Sequence, residues 1–160
     1  YLDFVMPEAP DHMHYSRIDR YAGYAQAMRA AGLEPYRREH FSGVPIDQRL
    51  ATTRQLLRSD HRPTAIISYD AGERIMYAAA LEGLRVPEDL SIAVFAFRPA
   101  PDRQSSIGRK VSSAIVPSGK AGEAAVQLLM DKIDSPKKKL PACVIPLEVD
   151  LNGTCGPAPV

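Results

Sequence analysis

A chain of 160 residues can build one domain with a real core. Its 45% hydrophobic and 24% charged residues match a soluble globular protein. No apolar run approaches the ~18 residues that a membrane helix needs, so no membrane partner is expected. A net charge of +1 leaves no basic footprint for nucleic acid, so any contact with DNA is expected outside this segment. Cys143 and Cys155 fit no zinc or redox spacing and read as free thiols in a reducing compartment. Tyr1 reads as a cut end, because the first residues look like a strand and not like the start of a signal peptide.

In chain order, Tyr1 to Met6 is a short apolar run closed by Pro7, as in a buried strand. After a polar loop, Ile18, Tyr21, Ala22, Ala25 and Met28 recur at helical spacing from about Ser16 to Ala31. Ser16 and Asp19 are placed as a capping box, and Gly32 as a left-handed stop. A moderate strand over Tyr36 to Phe41 precedes a second helix near Asp47, with Ile46, Leu50, Thr53 and Leu57 on one face. Thr64 to Tyr69 is the strongest strand, and Asp70 is placed to cap a third helix, ending near Leu84, with Glu73 as its partner. Ser91 to Phe95 and Val111 to Val116 follow as strands. Pro117 can open a helix with Ala121, Ala125, Leu128, Leu129 and Ile133 on its apolar side. Cys143 to Val149 is a last strand, before a loose tail with Pro157 and Pro159. Alternating strands and helices predict a three-layer αβα fold on a mainly parallel sheet.

Nothing in this order advertises catalysis. Lys137-Lys138-Lys139 lies between a helix end and a strand and reads as a solvated turn. Asp11, His12 and His14 lack a third histidine nearby, so no metal site is expected. Gly-rich phosphate loops, nucleophile elbows and Cys/His pairs at catalytic spacing are absent, and no cofactor is expected.

Four stretches then align in order: RYAGYAQAMRAAGL (20–33), RPTAIISYD (62–70), GLRVPEDLSIAVF (83–95) and VPSGKAGEAAVQLL (116–129). Together they resemble the effector-binding core of the lactose-repressor (LacI/GalR) family of bacterial transcription regulators. The resemblance implies a periplasmic-binding-protein-like architecture, incomplete here, with a small molecule held between two α/β subdomains. It implies that residues 1–116 form the carboxyl-proximal subdomain, that 117–140 belong to the amino-proximal one, and that 141–160 are a returning strand and tail. The helix after Pro117 would then lack the strands it packs on, so self-association as a homodimer or larger species is expected. DNA would be contacted only through a helix-turn-helix outside these 160 residues.

The same resemblance carries over a candidate ligand site. Arg20 matches a family arginine that reaches into the cleft, and its planar fork of donors suits paired oxygens. Tyr69-Asp70 stands where the family writes Asn-Asp. Asp70 matches, whereas Tyr69 replaces an amide by a ring that stacks but cannot bridge two hydroxyls. Where the family writes Gly-[Phe/Tyr]-Asp-Asp, this chain has Val94-Phe95-Ala96-Phe97, so the side chain at Ala96 accepts no hydrogen bond. Phe41 adds a further wall. Sugar hydroxyls left unpaired there would cost about 1–3 kcal/mol each. A flatter ligand with an acidic or carbonyl group therefore suits the site better than a hexose.

Three functions stay open on the sequence. The leading one is the ligand-sensing, dimerising core of a cytoplasmic LacI-type repressor or activator. The others are an extracytoplasmic solute-binding protein and a dimerisation module whose ligand site has decayed. An α/β enzyme would need clustered acids or bases at strand ends, and Asp70 alone is found there.

Overall fold

The computed structural model describes residues 1–5, 15–41, 45–69, 71–96 and 108–159, and of residues 3–5, 40 and 41 the backbone alone. The elements run β1 (Leu2–Val5), α1 (Tyr15–Ala30), β2 (Arg38–Phe41), α2 (Ile46–Arg58), β3 (Ala65–Tyr69), α3 (Gly72–Leu81), β4 (Ser91–Ala96), β5 (Ser112–Ile115), α4 (Ser118–Asp134) and β6 (Glu148–Asp150). The strands form a single sheet in the order β2-β1-β3-β4-β5-β6, parallel except for β6, which pairs antiparallel with β5. After β2 the chain turns back across β1 to begin β3. The boundary between β1 and β3 is therefore the topological switch point, where open α/β sheets hold ligands at the carboxyl ends of their strands.

Strand periodicity divides the sheet into two faces. Ile66 and Ser68 of β3, and Ile92 and Val94 of β4, are buried, while the residues between them are less so. Ile66 and Ile92 join Leu56 and Leu57 of α2 and Ile75, Met76, Ala78 and Ala79 of α3 in one core cluster. The opposite face carries α1, whose Ala25 is its buried residue. There Tyr1 packs with Tyr21 and Tyr24 at ring-centroid distances of 5.7 and 5.5 Å.

Helix ends follow local chemistry. Gly32 at φ 71° ends α1: its N–H donates to Arg29 O and the Leu33 N–H to Met28 O, so that carbonyls of the last turn are bonded. Gly83 at φ 68° does the same for α3, with Gly83 N–H to Ala80 O and Leu84 N–H to Ala79 O. The α3 helix accordingly stops at Leu81 and not near Leu84.

Several expectations need correction. Ser16 is not a cap, because α1 begins at Tyr15 and the Ser16 hydroxyl accepts from Arg20 instead. Ala71, not Asp70, is the N-cap of α3 and makes no side-chain cap bond; Asp70 itself lies outside the described residues. Ile46 and Ile18 are exposed at helix positions expected to face inward; the inward face of α2 is set by Thr53, Leu56 and Leu57. Pro117 stands just before α4 and not within its first turn.

Residues 141–147 form no strand: the pattern is apolar, but no described strand lies beside it to complete a ladder, and only Glu148–Asp150 pairs. Nor is the tail loose throughout. Thr154 is fully buried, its hydroxyl donating to Ile92 O at 2.7 Å and accepting from the Ser112 N–H at 2.8 Å. The Ile92 N–H in turn donates to Thr154 O at 2.7 Å, so residue 154 extends the sheet's bonding between β4 and β5.

Candidate functional site

Tyr69 ends β3 and Phe95 lies one residue before the end of β4, and the two are direct partners in the parallel ladder. Neighbours in register project to the same face, so two half-buried rings stand side by side at the carboxyl end of the sheet. This is the face that carries α1. The α1 helix brings Arg20 above them, with its guanidinium carbon 4.4 Å from the Tyr69 centroid and 6.0 Å from that of Phe95. The first distance is a close cation–π contact and the second its outer limit.

The rest of the Arg20 fork is only partly used. Its Nη1 donates to Ser16 Oγ at 3.0 Å, one helical turn back, which fixes the rotation of the side chain. Its Nε is buried and has no hydrogen-bond partner among the described residues. An unpaired buried donor costs roughly 1–3 kcal/mol. No carboxylate among the described residues pairs with Arg20, whereas nearby Arg17 and Arg37 both bond Glu39 Oε1, at 2.9 and 3.0 Å.

On the opposite face, Arg74 sits in the first turn of α3. Burial, and secondly the charge of Arg49, lower its pKa to about 10, so it remains a cation at neutral pH.

Of the residues expected at the site, the structure brings together Arg20, Tyr69 and Phe95. It does not add Ala96: strand alternation turns that side chain to the other face, where it is 4% exposed. Phe41 ends β2, with β1 between it and β3. Asp70 and Phe97 lie outside the described residues. Ser16 was not foreseen as a partner, although its spacing of four from Arg20 on a helix is the signal that would have found it.

Comparison with known proteins bears on what this fold is. The model of the periplasmic binding protein-like domain family matches residues 3–155. A search among curated proteins returned no match. Among solved structures, a LacI family transcriptional regulator from Bifidobacterium animalis subsp. lactis aligns at TM-score 0.74 and 22% identity, over 98% of this chain and 55% of that one. The lac repressor dimer bound to operator and the anti-inducer ONPF aligns at 0.73 and 17%, over 96% and 51%. The transcriptional regulator CelR in complex with cellobiose aligns at 0.68 and 20%, over 96% and 46%. The chain therefore spans about half the length of these proteins. At such identities the likeness speaks for the fold, which is the one that the LacI/GalR resemblance implies. With 153 consecutive residues covered by the family model (3 to 155 inclusive), the chain belongs to the periplasmic binding protein-like domain family.

Proposed function

We propose that this chain is the carboxyl-proximal part of the effector-sensing and dimerising core of a LacI-type transcription regulator. A small effector binds where the strands end between β1 and β3, with Arg20 as its main donor. One observation carries the reading: Arg20 is held over Tyr69 and Phe95, with β3 bordering the switch point, and its buried Nε has no hydrogen-bond partner among the described residues. No carboxylate among the described residues pairs with this cation, and ligand crevices of open α/β sheets lie at the carboxyl ends of their strands. The solved neighbours lend support by analogy of fold, one holding cellobiose and another bound as a dimer to operator.

In this reading residues 117–140 belong to a second subdomain, and 141–160 return from it to the sheet. The α4 helix has no buried residue, while β6 and Thr154 are bonded into the sheet, as expected of a segment that leaves one body and comes back. Effector binding changes the closure of the two subdomains and so the relation of two subunits and their DNA-reading heads. The chain works by binding, not by catalysis.

Reading the gene upstream of the Tyr1 codon tests this directly. A helix-turn-helix, a hinge and a matching half-core are the expected result. A secretion signal there would overturn the reading and make the protein an extracytoplasmic solute receptor.

A further inference from the structure

We propose, resting on the reading above, that the effector is a planar carboxylate of the aromatic-acid type and not a sugar. With its flat face on Tyr69 and Nη1 tied to Ser16, the Arg20 fork has one edge left, formed by Nε and Nη2. That edge offers two parallel N–H groups and a full positive charge. The chemical complement is an acceptor with two coplanar oxygens and one negative charge, which is a carboxylate.

The surroundings of that edge select the body of the ligand. Tyr69 and Phe95 stand in register as an aromatic floor beneath Arg20. Such a floor suits a π system, and it also suits the apolar face of a sugar ring. The acceptors decide between them. A sugar carries hydroxyls around its rim that need carboxylates or amides, and no carboxylate among the described residues pairs with Arg20 to begin such a network. A planar acid asks for one bidentate cation and a ring to stack on, and those are what this site presents.

Isothermal titration calorimetry of the protein with benzoate, trans-cinnamate and 4-hydroxybenzoate tests the class. Benzamide, cyclohexanecarboxylate, D-glucose and cellobiose serve as comparisons. At least one planar acid is expected to bind, with benzamide and cyclohexanecarboxylate each about tenfold or more weaker than benzoate. In Arg20→Gln the preference for acid over amide is expected to vanish. In Arg20→Lys, which keeps the charge and loses the fork, acid affinity is expected to fall about tenfold. The comparison of acid, amide and saturated acid is made on the unaltered protein, so a variant that fails to fold leaves it intact. Binding of glucose or cellobiose without binding of the acids would overturn the ligand class and leave the sensing site standing. Binding of none of the probes would overturn the class and remove the support for the sensing site as well.

Discussion

The two ends of this molecule use the same hydrophobic pattern to opposite effect. In α3, Ile75, Met76, Ala78 and Ala79 are buried against β3 and β4. In α4, Val126, Leu129, Met130 and Ile133 repeat at three- and four-residue steps in an equally clear stripe, yet each is at least half exposed. The difference is one of partners. An apolar helix face is stabilised only by what covers it, and each large side chain left in water forgoes about 1.5–3 kcal/mol. Amphipathic periodicity in a sequence therefore marks where a surface belongs, without showing whether this chain supplies it.

A matched pair of isoleucines sharpens the contrast. Ile75→Ala, at a position 0% exposed, is expected to destabilise the fold by about 2–5 kcal/mol, from lost transfer energy plus a cavity. Ile133→Ala, at 61% exposure, is expected to change the stability of dilute protein by less than about 0.5 kcal/mol. Urea unfolding of both variants checks this. Equal losses would show that α4 is covered as tightly as α3.

The next effect concerns the returning tail. Thr154→Val removes the hydroxyl that serves both Ile92 O and the Ser112 N–H, leaving a buried backbone donor unpaired. A loss of about 1–3 kcal/mol is expected, again by urea unfolding. A neutral substitution would mean that the tail docks without this bond.

Self-association tests the exposed side itself. The α4 face, with Leu129 60% and Ile133 61% exposed, is expected to draw copies together as concentration rises, and Val144, Val149 and Leu151 are exposed as well. Light scattering should report a dimer or larger species, and Leu129→Lys with Ile133→Lys should return it toward monomer without lowering the thermal midpoint of dilute protein. A monomer at every concentration would break the comparison, because the stripe would then be stable in water.

Much of the fold was legible because local and tertiary demands agreed. Ala65–Tyr69 and Ser91–Ala96 are apolar, β-branched and aromatic runs that are also central strands, and Gly32 was readable as a stop because a left-handed residue is needed there. The failures came where a neighbour decides. Residues 143–147 have a strand's pattern without a strand's partner. Thr154 looked like tail composition, and only contacts with Ile92 and Ser112, 62 and 42 residues away, give it a role. In the site, Arg20, Tyr69 and Phe95 came together as expected, whereas Ala96 parted from them. Period-two alternation forbids Phe95 and Ala96 from lining one wall, and that separation could have been read from the sequence.

The smallest expected effect comes from ion pairs, and it again separates the two ends. In the turn ahead of β4, the Asp89 carboxylate accepts from the Arg85 backbone N–H, Nε and Nη2 at 2.8, 2.8 and 2.9 Å. Those bonds, with the Arg85 charge, hold its pKa well below the usual carboxylate range. The Lys120–Glu148 pair joining α4 to β6 is a single exposed bond of 2.6 Å, and that hydrogen bond, then the Glu148 charge, raises the Lys120 pKa. A carboxylate with a depressed folded pKa stabilises fully above its unfolded value near 4, and loses that contribution as pH falls through the folded one. The midpoint advantage of the native protein over Asp89→Asn should therefore stay constant from about pH 7 to 5 and shrink below about pH 4. The sign reverses for Lys120, whose contribution disappears only as pH rises past the ordinary lysine range. Lys120→Gln should consequently leave the acid limb unchanged, because one solvent-screened bond orders little. An acid limb that moved with Lys120 and not with Asp89 would place the stabilising charge network at the α4 end, against everything its exposed apolar face implies.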